Sequence, residues 1–407
     1  MLKAGQNLLL NGRLWHLRQA QPGQGRTWEL EAIGVSAASL GLARPMSAVK
    51  YGDDLFIQPH QRDYYHAHMR HDWLDTERGP ALNCQPATWL DLLAVHTRTP
   101  AQGDTKNEFS WSYSRAAKYR QCPRAYYYHY YAAWEGWQAE APIPVRRAYL
   151  LKNLTDLSLW GGTLVHDSIK FALARLKAGR PIAETEVVKR LRSRAQADVE
   201  DSRSGRFRQK PNQLTGFQEH YYQTGLPASA WQAAQAQAEL HLHTFFNSNL
   251  YAGLQRGSAP ALLKVEELQW FTLAGTKIWV QMDLAQPAGD KIFVYDWKTG
   301  PIEPADLRQQ LGIYGLYLRQ SWWSEKAVQP ALQAVVYALA EDKVLTFDLD
   351  EALLQETQAQ VEASVAQLRG LLLDPETNLA ELRRFPMISD LSVCRRCQFR
   401  ELCGRDK

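Results

Sequence analysis

Two aspartates and a lysine near the middle of the chain carry the residue types that bind a divalent cation. The segment IFVYDWKTG (292–300) places Asp296 and Lys298 two positions apart at the end of an apolar run, and Asp283 ends the preceding run, IWVQMD. Alternate side chains of a strand share a face, so Asp296 and Lys298 point the same way. If the two runs pair as neighbouring strands, about 4.8 Å apart, the carboxylates of Asp283 and Asp296 converge.

Such a pair of carboxylates indicates a particular chemistry. Two close carboxylates repel each other, and Mg²⁺ held by them, with substrate phosphate and water completing its shell, relieves the repulsion. Lys298 would then orient the attacking water or stabilise charge on the phosphate. The alternative is an Asp–Lys ion pair that only caps the end of a strand.

A second group of metal-ligating residues lies close to the last residue of the chain. CRRCQFRELC has the spacing C-x₂-C-x₅-C and supplies Cys394, Cys397 and Cys403. Thiolates at this spacing converge on a metal or a cluster, and in a reducing compartment that interpretation outranks disulfides. Three ligands leave a fourth to find, and spacing alone does not pair Cys122 with a segment more than 250 residues away. The fifth cysteine, Cys84, is predicted to be a small buried side chain.

The elements that must position these residues can be read from periodicity. GTLVHDSIKFALARLKAG (162–179) has the spacing of an amphipathic helix that would end at Gly179, with His166 one position off the apolar face. The residues of that face are Val165, Ile169, Ala172, Leu173 and Leu176. Residues 183–256 are predicted to be mostly helical, interrupted by the basic segment 202–212. Strands are predicted at 262–271, 277–285, 291–298, 332–339 and 343–349, with helices at about 304–319 and 350–372.

Two further segments could either serve the fold itself, in the core or as a solvated loop, or bind a nucleic acid. RAYYYHYYAAWEGW (124–137) is dense in tyrosine and tryptophan, which could stack on bases or, as we favour, anchor the segment in the core. RSGRFRQKP (203–211) carries several basic residues and no acidic one. That segment is either a solvated loop or a loop that follows phosphates.

The first 105 residues differ from the rest. Short apolar runs at 7–17, 27–35 and 53–59, separated by Gly, Pro and Gln, predict a small β-rich domain. Residues 63–74, which include several histidines, are predicted to form a polar helix, and 96–108 a linker. We expect this domain to be a docking module or one that grips nucleic acid.

Composition excludes several classes of protein. The 407 residues include 45% hydrophobic and 22% charged residues, as in ordinary globular proteins rather than disordered ones. The formal charge of +4 is compatible with a polyanionic partner. No apolar run approaches the roughly 18 residues of a membrane span, and no signal peptide is recognisable. We therefore expect a cytoplasmic protein that does not enter a membrane.

The order of these motifs resembles the PD-(D/E)XK nuclease superfamily, in its RecB-like branch, over about residues 110–407. The matching motifs, in chain order, are GGTLVH with His166, VQMD with Asp283, YDWKTG with Asp296 and Lys298, and QLGIY with Gln310 and Tyr314. One departure is Val280, where the family often has glycine, and a bulkier side chain could narrow the approach to the metal. The RecB-like branch includes the CRISPR-associated RecB-like exonucleases.

The resemblance implies a fold and a division of the chain. The expected fold is an α/β (α+β) restriction-endonuclease-like αβββαβ core. The expected domains are 1–105, an accessory β-rich domain, and 106–407, the nuclease. Within the nuclease we expect a helical insertion at about 180–256 and a cysteine cluster at 390–407.

The resemblance also implies roles for the motif residues. His166, Asp283 and Asp296 would bind Mg²⁺ or Mn²⁺, Lys298 would be catalytic, and Gln310 and Tyr314 would contact DNA. In that branch a cysteine before the core, here Cys122, joins a triplet of the spacing seen at Cys394, Cys397 and Cys403 to hold a 4Fe–4S cluster. A structural zinc site is the rival for the same four thiols.

The sequence therefore predicts a metal-dependent DNA nuclease. We expect a single-stranded DNA exonuclease acting in CRISPR adaptation, in recombination and repair, or in antiphage defence. A structure-specific endonuclease, or a non-catalytic scaffold of the same fold, is the alternative. The chain has no G-x-x-x-x-G-K-[ST] motif, so ATP-driven unwinding would need a partner such as a helicase or another protein of a CRISPR-associated or defence complex.

Overall fold

The computed structural model describes most of the chain as two compact units. The described residues are 3–19, 28–32, 43–60, 63–99, 106–139, 141–256, 264–265, 268–322 and 330–405. The first unit comprises Met1–Asn107, Tyr127–Tyr149 and Leu372–Pro386, and the second comprises Glu108–Tyr126, Leu150–Leu371 and Met387–Lys407. Part of the predicted linker, 100–105, lies outside the described residues.

The first unit is built on a sheet that closes on itself. Its elements are β1 (Asn7–Leu10), β2 (Arg13–Gln19), β3 (Trp28–Ala32), β4 (Ala43–Tyr51), β5 (Asp54–His60), β6 (Asp63–His68), β7 (Trp73–Thr76), β8 (Gly79–Ala87) and α1 (Trp89–His96). The strand order is β1-β2-β3-β4-β5-β6-β8-β7, and a parallel β1–β8 pairing completes a barrel. A closed sheet leaves few unpaired strand edges. Alternate residues fill its interior, among them Leu8, Leu17, Leu30, Ile57 and Cys84. The β-rich expectation for this region is thus confirmed.

One element of this region was predicted wrongly. Residues 63–74 contain β6 and the first two residues of β7 rather than a helix. Ala67 is fully buried opposite Leu55 of β5, and the histidines at 66 and 68 alternate with it, as the two-residue period of a strand requires. His66 bonds Asp54 at 2.7 Å, and the rings of His68 and His71 stack at 4.6 Å. The cross-strand pairing with β5, which local sequence does not encode, decides the conformation.

The tyrosine-rich segment contributes to the core of the first unit. Tyr127, Tyr128 and Tyr131 are at most 4% exposed, and Phe385 packs against Tyr127 and Tyr131 at 5.5 and 5.7 Å between ring centroids. These rings are therefore not open to stack on bases.

The remaining elements belong mainly to the second unit. In chain order they are β9 (Ser110–Ser112), α2 (Tyr113–Gln121), α3 (Pro123–Tyr127), α4 (Ile143–Lys152), β10 (Leu154–Thr155), α5 (Leu157–Lys177), α6 (Glu184–Arg203), β11 (Gly216–Phe217), α7 (Gln218–Tyr221), α8 (Ala228–Phe246), α9 (Asn249–Arg256), β12 (Lys264–Val265), β13 (Leu268–Leu273), β14 (Thr276–Gln281), β15 (Leu284–Ala288), β16 (Lys291–Lys298), α10 (Pro304–Trp322), β17 (Ala331–Ala338), β18 (Lys343–Asp348), α11 (Glu351–Gly370), β19 (Leu372–Asp374), β20 (Leu379–Ala380) and α12 (Leu391–Arg395).

Two sheets organise the second unit. The larger has the order β12-β15-β16-β17-β18, with β16 and β17 parallel and joined through α10, as parallel neighbours require a crossover. The smaller has the order β13-β14-β9. The strand predicted at 277–285 is in fact two strands, β14 and β15, because the chain leaves one sheet and enters the other at Met282 and Asp283. The result is the mixed α/β architecture that the sequence predicts.

The helices bury the predicted faces. All five predicted apolar residues of α5 lie in a core that α6, α8 and α9 share with Leu284 and Trp297 of the sheet. Gly179 follows the helix with a φ of +67°, the left-handed conformation that favours glycine at a helix end. Helix α10 packs against α11.

Candidate metal site and cysteine cluster

Strand register brings Asp283 beside Asp296. Leu284 pairs with Tyr295 in the antiparallel β15–β16 ladder, so the residue before Leu284 lies next to the residue after Tyr295. The backbone N–H of Trp297 donates to Asp283 Oδ2 at 2.7 Å, which orients that carboxylate. Sequence analysis did not single out this main-chain donor, because it exists only once the two strands pair.

Helix α5 supplies the histidine. The Asp156 side chain caps α5 by accepting from the N–H of Leu159, and the buried apolar face of the helix sets its rotation. Its His166 Nδ1 thereby lies 3.3 Å from Asp283 Oδ1. Residues 166 and 283 are 117 positions apart, and the structure brings them into contact.

A glycine allows the close approach of α5 to the end of β16. A Cβ on Gly162 would lie 3.1 Å from Thr299 Oγ1, which is tighter than ordinary contact. Glycine inside a helix costs about 1 kcal/mol relative to alanine, so its presence here is explained by packing rather than by helix propensity. The consecutive glycines of GGTLVH were the available sequence signal.

Three side chains surround Asp296. Lys298 Nζ lies 2.7 Å from Asp296 Oδ2, and the Tyr314 hydroxyl donates to Asp296 Oδ1 at 3.1 Å. Gln310 joins the two neighbours, because its Oε1 accepts from Lys298 Nζ at 2.8 Å and its Nε2 donates to the Tyr314 hydroxyl at 2.6 Å. Lys298, Gln310, Tyr314 and Asp296 thus form a closed ring of contacts.

Burial makes the negative charge of Asp296 unfavourable within this ring of contacts. Asp296 is 2% exposed, and its pKa is raised first by burial and then by the nearby charge of Asp283, while Lys298 and His166 act in the opposite direction. The pKa of Tyr314 is also raised, by burial and then by Asp296 and Asp283, so its hydroxyl stays protonated and can donate. Two coupled carboxylates with a histidine beside them are the oxygen-rich donor set that Mg²⁺ and Mn²⁺ prefer.

The two residues of the Q-x-x-x-Y motif lie against the acidic site. Tyr314 is only 3% exposed, and its hydroxyl donates to Asp296. The predicted contact of Gln310 and Tyr314 with DNA stays a prediction. Their helix lies close to α11 because of small residues. A Cβ on Gly312 would meet Thr357 Oγ1 at 1.9 Å, and one on Gly315 would meet Leu354 Cδ2 at 2.5 Å. Val280, at the position where the resemblance leads one to expect glycine, is buried.

Three of the predicted cluster cysteines lie within electrostatic reach of one another. The pKa of the Cys397 thiol is raised to about 11, first by burial, against a hydrogen bond from the N–H of Phe399, and then by the charges of Cys122 and Cys403. Cys122 caps α2, whereas Cys397 and Cys403 lie beyond α12, so the fold joins residues far apart in the chain.

Cys394 and a partly buried lysine belong to the same neighbourhood. Arg405 Nη1 donates to Cys394 Sγ at 2.9 Å, and the charges of Cys403 and Cys122 also favour the protonated Arg405. Burial lowers the pKa of Lys118, which Cys397 and Cys122 oppose. None of the five cysteines, all of them in described residues, forms a disulfide.

In neither group do the described side chains form a complete ligand set. Within the described ranges, no set of three or more His, Cys, Asp and Glu side chains is close enough to hold one. The described helices also include none that is long and apolar enough to cross a membrane.

Comparison with known proteins identifies the family. The family model of the PD-(D/E)XK nuclease superfamily matches residues 110–404, which is more than half of the chain. The protein belongs to the PD-(D/E)XK nuclease superfamily. No curated protein matches it. PD-(D/E)XK proteins are nucleases that generally use Mg²⁺ or Mn²⁺, and the match spans the His166, Asp283, Asp296 and Lys298 positions as well as all four predicted cluster cysteines.

Proposed function

We propose that the protein is a metal-dependent DNA exonuclease that hydrolyses single-stranded DNA at the site formed by His166, Asp283, Asp296 and Lys298. The observation that carries the proposal is the buried pairing of Asp283 with Asp296, with Lys298 at 2.7 Å and His166 at 3.3 Å from their carboxylates. A purely structural ion pair has no need of a second buried carboxylate, which raises the pKa of Asp296. Single strands are proposed as substrate on the RecB-like motif set.

The site residues fit Mg²⁺ or Mn²⁺ by their chemistry. Asp283, Asp296 and His166 would hold the ion, since two repelling carboxylates gain from a shared cation. When bound, the ion supplies Lewis acidity that activates water and neutralises charge on the phosphate.

The chain's own groups perform the remaining tasks. The Trp297 N–H and the Tyr314 hydroxyl hold Asp283 and Asp296 in fixed orientations. Gln310 holds Lys298 Nζ at the edge of the site, where an ammonium group stabilises charge that develops on the phosphate. The Lys298 side chain is 26% accessible, so a substrate can reach it, whereas the Asp296 side chain is almost fully buried.

We further propose that a 4Fe–4S cluster links the two ends of the second unit. Its ligands would be Cys122, Cys394, Cys397 and Cys403. Support comes from the thiols near Cys397, the burial of Cys122 with the partial burial of the other three, and Arg405 as a compensating cation. A four-cysteine set also suits zinc, which is the rival outcome. The role would be structural, because the segment beyond α12 contains few apolar residues of its own.

The test of the enzyme proposal compares two substrates. Purified full-length protein is incubated with Mn²⁺ and end-labelled linear or circular single-stranded DNA. We expect loss of the linear strand and survival of the circle. Cleavage of both would replace the exonuclease with an endonuclease, and cleavage of neither by folded protein would leave a DNA-binding scaffold.

A further inference from the structure

The small sheet of the second unit has one buried face and one exposed face. Its buried face carries Phe271, Ile278 and Val280 and packs on α10, where the ring of Phe271 lies 6.2 Å from that of Tyr317. The side chains of the opposite face, here called the outward face, alternate with these along β13 and β14. They form three cross-strand pairs: Leu268 with Gln281, Trp270 with Trp279, and Thr272 with Lys277.

Two large apolar side chains of the outward face are open to solvent. Leu268 is 59% exposed and Trp270 is 53% exposed, and the two are neighbours on one side of β13. Adjacent apolar side chains exposed to this degree are typical of a surface that binds a partner. Because a paired strand holds the backbone of Trp270, a ligand that packs on the indole has little backbone freedom to remove.

A cation lies over the indole rings of the outward face. Lys277 Nζ is 4.1 Å from the centre of the Trp279 ring and 4.8 Å from that of Trp270. Among the described residues Lys277 has no carboxylate partner, so no ion pair neutralises its charge. Trp270 is still 53% exposed with the ammonium group in place, so part of its ring stays open. A positive charge and a stacking surface therefore lie side by side.

Single-stranded nucleic acid is the partner that fits both features. Its phosphates are anionic, and its unpaired bases have free faces that stack on aromatic side chains, whereas a duplex keeps its bases in the helical stack. The six outward side chains of β13 and β14 include one cation and no anion, which suits a polyanion. An apolar protein surface would suit Leu268 and Trp270, but it would desolvate the Lys277 charge without a counter-ion.

The outward face is close in the chain to the proposed metal site. Trp279 is four residues before Asp283, so their Cα atoms are at most about 14 Å apart. Gln281, which lies between them in the chain, is exposed on the same face as Trp279. A DNA strand with its scissile phosphate at Asp283 thus has this face within reach of its neighbouring nucleotides.

We propose that single-stranded DNA binds across the outward face of β13 and β14, with one base stacked on Trp270 and a neighbouring phosphate on the Lys277 ammonium group. This inference rests on the proposed function and deepens it, because it names residues that hold the substrate outside the metal site. Binding at this face does not depend on base identity, since every base has a face that can stack.

The experiment measures binding by the full-length protein in EDTA, where metal-dependent cleavage cannot occur. Fluorescence anisotropy follows the titration of a short labelled oligo(dT) at several salt concentrations. Trp270→Ala should weaken binding by about 5- to 100-fold, the contribution of one stacked base. Trp270→Phe keeps a ring that can stack and should retain most of the affinity, which separates lost stacking from lost folding.

Lys277→Gln tests the phosphate contact through the salt dependence. It should make the slope of the logarithm of the binding constant against the logarithm of salt concentration less steep by about 0.7, the value for one phosphate on a single strand. Two controls are matched by residue type. Phe347→Ala removes an aromatic ring that is 38% exposed on β18, and Lys291→Gln removes a charge at the far end of β16 from Lys298. Both should bind DNA as the wild type does.

Several results would overturn the proposal. Wild-type affinity of Trp270→Ala, or an unchanged salt slope for Lys277→Gln, would each do so. If Trp270→Ala abolished self-association in sedimentation and left DNA binding intact, the outward face would be an interface between copies of the chain instead. A protein that binds DNA through Trp270 but never cleaves it with Mn²⁺ would refute only the nuclease. Cleavage by a protein whose Trp270→Ala variant binds normally would refute only this surface.

Discussion

The hydroxyl of Tyr314 donates to Asp296 Oδ1 at 3.1 Å while it accepts from Gln310 Nε2 at 2.6 Å. The buried tyrosine is thus a positioning residue that acts through the carboxylate. Tyr314→Phe should lower metal affinity or activity by about 10- to 100-fold, as loss of such supporting hydrogen bonds does elsewhere. Titration of cleavage with Mn²⁺ provides the measurement, because a positioning role predicts partial rescue at high metal concentration.

The matched control for this change is on the same helix. The Tyr317 hydroxyl bonds Gln269, away from the acidic residues, so Tyr317→Phe should leave the Mn²⁺ dependence unaltered. Equal effects of the two changes would mean that Tyr314 acts only through the stability of α10.

Lys298 is expected to act in the transition state. Lys298→Ala should lower kcat by about 100-fold or more, since it removes a cation from the place where phosphate charge develops. Single-turnover cleavage of linear DNA checks this, and Lys291→Ala, at the other end of β16, is the control. Wild-type rates for Lys298→Ala would remove this residue from the mechanism.

Close packing of α10 on α11 should be sensitive to one added carbon. Gly312→Ala would press a Cβ against Thr357 and should destabilise the protein by about 1–3 kcal/mol, with loss of activity because Gln310 and Tyr314 move with the helix. Urea unfolding measures the first effect. Gly370→Ala, whose Cβ would meet nothing within 4 Å, should be nearly neutral. A combined Gly312→Ala and Thr357→Ala variant should recover part of the loss, and a purely additive result would contradict the packing argument.

The cysteine proposal predicts a colour as well as a stability effect. Cys122→Ala or Cys403→Ala should remove the brown visible absorbance of an iron–sulfur centre and reduce soluble yield together. Cys84→Ala is the control, because Cys84 lies in the barrel core of the first unit. A colourless wild-type protein that contains stoichiometric zinc would identify the centre as a zinc site instead.

His96 should make the first unit sensitive to acid. Burial lowers the pKa of His96 to about 4, and the neutral ring satisfies both of its contacts, at 3.0 Å with the Tyr51 hydroxyl and at 3.1 Å with the Trp134 carbonyl. Because the unfolded state takes up the proton first, near pH 6.5, stability falls as the pH drops from about 6.5 towards 4, by at most about 3 kcal/mol. His96→Gln should flatten this slope in urea unfolding at several pH values. An unchanged slope would mean that other groups cause it.

Much of the second unit could be read from local pattern. The apolar period of α5, the strand at 291–298 and the helix after it follow from alternation and helical spacing, which are properties of neighbouring residues. The family match over residues 110–404 agrees with the nuclease resemblance read from the motif order. The segment 63–74 shows the limit of this approach, because its histidines and aromatics suit either period and pairing with β5 decided between them.

By itself, the sequence determined which residues can carry the chemistry, because side-chain type and spacing are local properties. It also determined the faces of α5 and β16 on which His166 and Lys298 lie. Only the tertiary structure decided that Asp283 enters the site at the break between two sheets, that Tyr314 points at Asp296 rather than outward, and that Cys122 lies near Cys397. The physical reason is that register and helix packing depend on contacts between different elements, 18 positions apart for Tyr314 and Asp296 and 117 for His166 and Asp283, and the pattern within one strand or helix does not contain them.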